Sequence, residues 1–218
     1  MKITAILTAG GLGTRMNHPL PKQYHDIGGK TVLEHTISTF ASHPMIDKIL
    51  VVVPQAWMDQ VLSAEVEKVV GGASRKVSVY NGICAIKNAS NKVLIHDGVR
   101  CMVSHQDITD VIQACEKPFD GAALGLPVTN TLKKVENECI LHTVDRNHVW
   151  SMQTPQVFFF EVIKKAYEQV MKDNIEITDD AQAVEYIGGR VKVIQGSSSN
   201  IKITYPEDIG WATWRLGQ

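Results

Sequence analysis

"LTAGGLGTRM", residues 7–16, decides how this 218-residue chain is read. It leaves the apolar stretch "ITAIL" (3–7), which reads as a buried strand, and passes straight into Gly10, Gly11 and Gly13. Glycine lets a backbone take positive φ and approach a ligand closely, and the bare N–H groups of such a turn can surround an anion. Basic residues follow: Arg15, then Lys22 in "LPKQY". A phosphate-rich ligand cradled by N–H groups gains most from charge-assisted bonds at its other oxygens, and these two side chains can give them. Without a ligand, the same stretch is a tight strand-to-helix turn and two solvated cations.

Commoner Gly-rich motifs do not fit. No G-K-[ST] closes the loop as in a Walker sequence, and Met16 stands where the third glycine of a dinucleotide fingerprint belongs. The second strand ends in "VVVPQ", with no acidic residue to hold a ribose, so nicotinamide binding is not expected.

Outward from the loop, short apolar runs alternate with helix-like segments. "KILVVV" (48–53), "KVLIH" (92–96), "GAALGLPV" (121–128) and "VKVIQ" (191–195) read as further strands, and the continuous Val/Ile/Leu runs suit parallel strands covered on both faces. Residues 31–41 repeat Val32, Leu33, Thr36, Ile37 and Phe40 at helical spacing, and 57–70 does the same with Val61, Leu62, Val66 and Val69. Residues 105–116, 160–172 and 180–187 are also expected to be helical. The alternation predicts an α/β fold: a Rossmann-like, doubly wound, mostly parallel sheet binding its ligand beyond the strands' carboxyl ends. Residues 129–147 break the rhythm. "TLKKV" and "CILHTV", joined by polar "ENE", predict a protruding β-arm. No linker or repeat interrupts the chain, which reads as a single domain over 1–218.

Composition narrows the partners. At 44% hydrophobic, 21% charged and a formal net charge of −1, the chain has no broad basic footprint for nucleic acid or an anionic membrane. Four scattered cysteines with no C-x-x-C pair read as reduced thiols. The apolar run at the start is too short for a signal peptide and no stretch reaches the ~20 residues of a membrane span. A soluble, cytoplasmic protein is expected. Histidines show no H-x-x-x-H or H-E-x-x-H spacing and no G-x-S-x-G elbow is present.

Three further stretches carry candidate chemistry. "HDGVR" (96–100) puts Asp97 at the carboxyl end of a buried strand, where one carboxylate suits Mg²⁺ shared with phosphate oxygens, though Asp-Gly also forms turns. "ITDDAQAVE" (177–185) offers Thr178 as a helix N-cap with Asp179 and Asp180 in the first turn, and capping accounts for almost all of it. "SSSNIKIT" (197–204) sets Lys202 in a β-like run, facing either solvent or the pocket.

Together these stretches resemble the 2-C-methyl-D-erythritol 4-phosphate cytidylyltransferase family. "TAGGLGTRM", "LPKQY", "GGASRKVSV", "HDGVR", "HTVDRNHVW", "QTPQVF", "ITDDAQAVEY" and "NIKITYPEDI" run in that family's order over almost the whole chain. The resemblance implies that CTP and a small polyol phosphate react with Mg²⁺ as cofactor. Ala9, Gly10, Gly11, Gly13 and Thr14 would wrap the triphosphate, with Arg15, Lys22 and Lys202 as catalytic cations. Gly72, Arg75 and Ser78 would lie by the cytosine and ribose, and Asp97 would hold the metal. Thr131 and Arg146 would reach from the arm into the neighbouring subunit of a homodimer to bind the polyol phosphate, with Thr154 and Thr178 completing that pocket.

The chain departs from the family pattern at Gly98 and Cys101, where "HDAAR-P" or "HDAVR-P" is usual, and at neutral Asn130, which bears on acceptor choice. Close relatives make CDP-ribitol from ribitol 5-phosphate and share the nucleotide half. Thr131 and the full "HTVDRN" favour methylerythritol phosphate. An inactive nucleotide-binding relative is the other reading, and the joint presence of Arg15, Lys22, Asp97 and Lys202 speaks against it.

Overall fold

Val/Ile/Leu-rich runs that stand side by side must be covered on both faces, and the computed structural model shows how. It describes residues 1–11, 16, 20–60, 66–87 and 90–217. A seven-stranded sheet is built from β1 (Ile3–Thr8), β4 (Lys48–Val53), β5 (Glu67–Val70), β6 (Lys92–Asp97), β7 (Gly121–Pro127), β10 (Trp150–Phe159) and β11 (Val191–Gln195). Their order is β11-β7-β10-β6-β1-β4-β5, and neighbours pair in parallel except around β10, which is antiparallel to both β6 and β7. A short hairpin, β2 (Asp26–Ile27) with β3 (Lys30–Thr31), and the arm, β8 (Leu132–Glu136) with β9 (Cys139–Val144), stand outside that sheet.

The pleat sends alternate residues of each strand to opposite faces, and two cores result. Ala5, Leu7, Val51, Leu94 and Val157 pack with α1 (Val32–Ala41) and α3 (His105–Ala114) through Leu33, Ile37, Phe40, Ile108 and Val111. Ile6, Leu50, Val52, Val93, Ile95 and Phe158 pack on the other face with α2 (Arg75–Cys84), α4 (Phe160–Lys172) and α5 (Asp180–Tyr186). The sheet is therefore doubly wound, as its apolar runs predict. A third cluster seats α6 (Pro206–Leu216) through Ala212 on Ile27, Val32, Met102 and Ile203. Among the described residues no helix is long and apolar enough to cross a membrane.

Several local expectations give way. Residues 67–70 are a strand beside β4 rather than the end of a helix over 57–70, while 61–65 lie outside the described residues. In so short a stretch, valines at 66 and 69–70 fit either period. The β-like run 197–204 forms no strand. Its backbone is instead tied down one group at a time: Gln153 Nε2 donates to Ser197 O at 3.0 Å, Arg100 Nη1 to Asn200 O at 2.8 Å, and Ile203 N to Val99 O at 3.0 Å. The cap of α5 is Asp179, whose side chain accepts from Gln182 N, and not Thr178.

Candidate active site

Parallel strands end on one edge, and β1 and β6 bring Thr8 opposite Asp97 there. Beyond that edge lies a crevice of about 390 Å³, whose walls include Ala9, Gly10, Gly11, Lys22, Gly72, Arg75, Ser78, Asp97 and Lys202. Nine residues assigned from sequence to the nucleotide and reacting phosphates therefore meet in one place. Gly13, Thr14 and Arg15 lie outside the described residues.

The glycines serve by openness. Neither Gly10 nor Gly11 takes the left-handed conformation expected of them, and a Cβ on Gly11 would meet none of the described residues within 4 Å. Ala9 N donates to Val52 O at 2.8 Å, and Ala9 O accepts from the buried Gln23 Nε2 at 2.7 Å, so both backbone polar groups of Ala9 are held where the chain leaves β1. Across the crevice, Gly72 N donates to Ser78 Oγ at 3.1 Å, while Ser78 Oγ donates to Ser74 O at 2.9 Å. This hydroxyl holds the turn that leads into α2. Gly98 is tight for another reason: a Cβ there would sit 3.0 Å from both Thr8 O and Leu33 Cδ1. The alanine usual in the family requires those neighbours to give by a few tenths of an ångström.

Asp97 forms the floor. Its Oδ1 faces Arg75 Nε at 3.3 Å, and its Oδ2 faces Lys202 Nζ at 3.0 Å and Arg100 Nε at 3.4 Å. Burial alone raises a carboxyl pKa, but Arg75, Lys202 and Arg100 outweigh it and hold Asp97 well below the usual carboxylate range. Lys202 thus points into the site, resolving the choice that periodicity left open. Lys22, almost fully buried, donates from Nζ to Ile203 O at 2.7 Å, which couples the two lysine-bearing segments.

Behind Asp97, Thr154 Oγ1 accepts from Asp97 N at 3.0 Å and lies 3.1 Å from His96 Nδ1. Since the amide takes the hydroxyl oxygen, the hydroxyl proton goes to Nδ1. His96 is then the Nε2–H tautomer and donates to Arg100 O at 3.2 Å. Burial pushes the His96 pKa down to about 3, so the ring stays neutral. Thr154 is buried under the floor rather than on the crevice wall. Thr178 is exposed, its N–H and hydroxyl both donating to Gln182 Oε1. Thr131 and Arg146 are exposed on the arm, and the Arg146 guanidinium donates to Thr129 O.

Sequence reasoning passed over four residues here. Arg100 sits three positions after Asp97 inside a quoted motif and carried a signal that went unused. Gln23 is flanked by Lys22 in the same way. Asp180 reads from sequence only as a first-turn capping residue and Tyr167 carries no signal, because the group they support is distant: Arg75 Nη1 and Nη2 donate to Asp180 Oδ1 and Oδ2 at 2.9 and 2.7 Å, and Tyr167 Oη donates to Oδ1 at 2.5 Å.

The donor set fits a magnesium ion that draws most of its ligands from a nucleotide. Among the described residues that line the crevice Asp97 is the one carboxylate, and it is ionised. Mg²⁺ is commonly held by one or two carboxylates plus phosphate oxygens. Among the described residues no group of three or more His, Cys, Asp or Glu side chains is placed to cage a metal ion without such help.

A parallel sheet whose carboxyl edge joins open glycines, converging cations and one ionised carboxylate is the working face of an α/β nucleotidyltransferase. The chain belongs to the 2-C-methyl-D-erythritol 4-phosphate cytidylyltransferase family: the IspD family model of that description matches residues 3–218. The 2-C-methyl-D-erythritol 4-phosphate cytidylyltransferase of Haemophilus ducreyi is 40% identical over 220 residues, covering 99% of this chain and 96% of the relative. That of Vibrio vulnificus is 39% identical over 225 residues, covering 99% and 95%. The crystal structure of the Francisella tularensis 2-C-methyl-D-erythritol 4-phosphate cytidylyltransferase superposes with a TM-score of 0.87 at 32% identity, covering 99% of this chain and 100% of that one.

Proposed function

We propose that this chain transfers the cytidylyl group of CTP to the phosphate of 2-C-methyl-D-erythritol 4-phosphate and releases pyrophosphate, a step of non-mevalonate isoprenoid synthesis. The observation that carries this is the meeting of Lys22, Arg75, Lys202 and Asp97 in one crevice of a chain matched to that family from residue 3 to residue 218. In this reading residues 1–218 act as one cytoplasmic nucleotidyltransferase domain, with 129–147 as its arm.

An acceptor phosphate oxygen attacks the α-phosphorus, a new O–P bond forms, and the bond to the β-phosphate oxygen breaks with its electrons leaving on pyrophosphate. A phosphate monoester has its second pKa near about 6 and is already an anionic nucleophile at neutral pH. No general base is required, and His96 is kept out of the reaction as a neutral structural ring. The task is to bring two anions together. Lys22, Lys202 and Arg15 neutralise the phosphates, and charges already in place stabilise the transition state without reorganising. Asp97 would hold Mg²⁺, which when bound supplies positive charge at the phosphate oxygens. Gly72, Arg75 and Ser78 flank the nucleoside. Thr131 and Arg146 bind the polyol phosphate in the neighbouring subunit of a homodimer, with Thr154 and Thr178 supporting that pocket. Exposed Val135, Ile140 and Leu141 on the arm, 54, 64 and 50% accessible, support its burial against a second copy.

Pyrophosphate release tests the reading, with CTP, Mg²⁺ and either methylerythritol 4-phosphate or ribitol 5-phosphate. Higher kcat/KM with methylerythritol 4-phosphate is expected. A preference for ribitol 5-phosphate overturns the acceptor, and CTP binding with no release from any small phosphate overturns the transferase activity.

A further inference from the structure

Arg75 occupies an awkward position. It is the first residue of α2, directly after the Ser74 cap, where the helix dipole disfavours a cation. Its charge is nevertheless retained: burial opposes it, but Asp180 and then Asp97 hold its pKa above the ordinary arginine value. The guanidinium divides its donors between them. Both terminal nitrogens form a fork on Asp180, and Nε alone faces Asp97 Oδ1.

Asp180 is fully buried in the first turn of α5 and has its own support, since Tyr167 of α4, also fully buried, donates to its Oδ1. Burial and the neighbouring Asp180 charge raise the Tyr167 pKa well above its usual value, so its proton stays in place as a donor. A planar fork on a carboxylate fixes the plane of the arginine as well as its distance. We infer that Asp180 and Tyr167 are positioning residues for the reaction: they hold the Arg75 fork away from Asp97, so that Arg75 meets Oδ1 through Nε alone and leaves Oδ2 to Lys202, Arg100 and the metal.

The inference rests on the reading of Asp97 as the magnesium carboxylate. If the Asp180 charge is removed, the Arg75 fork loses its anion, and Asp97 is the carboxylate already in contact with the same guanidinium. Rotating onto both Asp97 oxygens then places arginine where the metal and Lys202 belong. Loss of residues that orient a metal ligand typically costs about 10–100-fold in metal affinity.

The test is calorimetric titration of Mg²⁺ into the CTP-bound full chain, with Asp180→Asn and Tyr167→Phe beside the unsubstituted protein. Thermal unfolding and CTP affinity without metal are measured in parallel. Both substitutions keep side-chain shape, and Tyr167→Phe removes only the hydroxyl. Mg²⁺ affinity is expected to fall about tenfold or more in Asp180→Asn and by a smaller factor in Tyr167→Phe, and to fall by more than metal-free CTP affinity does in each. A purely structural role lowers the unfolding temperature but leaves Mg²⁺ affinity unmoved, and that result overturns the inference. Should Asp180→Asn fail to fold, unchanged Mg²⁺ affinity in Tyr167→Phe overturns it alone. An unsubstituted chain that binds no CTP overturns the functional reading, and this inference with it.

Discussion

Asp97 and Arg146 are both assigned to the reacting ligands, yet the chain supports them in opposite ways. Asp97 is buried beneath three cations from three separate segments, its amide held by Thr154 and its arginine neighbour by Asp180. Arg146 is exposed, its guanidinium donating to Thr129 O at the base of its own arm, and β8 and β9 pair with each other outside the main sheet. One half of the site is organised before any ligand arrives. In the proposed homodimer the other half would gain its surroundings by association, through the exposed apolar residues of the arm. Preorganisation stabilises charge cheaply at the moment of reaction, whereas an arm lent to a neighbour makes activity depend on assembly.

The sharpest way to break that contrast is at the floor. Chelation is expected to abolish turnover completely and added Mg²⁺ to restore it, with thermal unfolding of the ligand-free chain unchanged, because Asp97 already has three cationic partners. Full activity in chelator removes Asp97 from its assigned role. Next, Lys202→Ala is expected to lower kcat by roughly 10²–10³ while changing CTP affinity far less, as for loss of one transition-state donor. Its side chain is 40% accessible, so the melting temperature is expected to hold. Near-normal kcat places its charge outside the reaction.

A smaller effect probes the lent half. Lys22→Ala and Arg146→Ala homodimers are each expected to be nearly inactive. Dissociated and remixed in equal amounts, about half the dimers are mixed, and each carries one intact site, so about a quarter of normal activity returns. No recovery despite demonstrated subunit exchange confines the site to one chain. The smallest effect lies away from both halves. His43 accepts from Met45 N at Nδ1 and lies 3.2 Å from His105 O at Nε2, and burial lowers its pKa. A histidine whose folded pKa is depressed contributes stability that is present above its unfolded value of about 6.5 and lost as pH falls below it. The fall in melting temperature from pH 7.5 to 5.5 is therefore expected to be smaller in His43→Gln than in the unsubstituted chain. An identical fall in both shows that His43 is not titrating.

Sequence legibility follows the same divide between local and distant causes. The runs at 3–7, 48–53 and 92–96 point to parallel strands because a strand covered on both faces has no polar side. Helices α1, α3 and α4 showed their apolar stripes, and the arm showed its alternation. Helix α2 stayed hidden because its sequence, "RKVSVYNGIC", carries few apolar residues on one face. Strand β10 was masked by Pro155, a residue that argues against a central strand; the register shifts between Met152 and Gln156, which accommodates it. Asp97 and Lys22 stand out from their own stretches, whereas Gly72 is pointed to only by the family resemblance. Asp180 was not, since a capping role satisfied every local signal while its true partner, Arg75, lies 105 residues away.

The bond from Lys22 Nζ to Ile203 O spans 181 positions of sequence. A ribosome must therefore deliver the chain as far as Ile203 before Lys22, on the segment that follows the first glycines, meets its acceptor. Until then the nascent chain exposes a cationic stretch with no finished place for a nucleotide, and competence arrives late in synthesis rather than growing with length. Cutting the chain ahead of residue 196 separates two fragments whose reunion can be read out by the reappearance of nucleotide affinity.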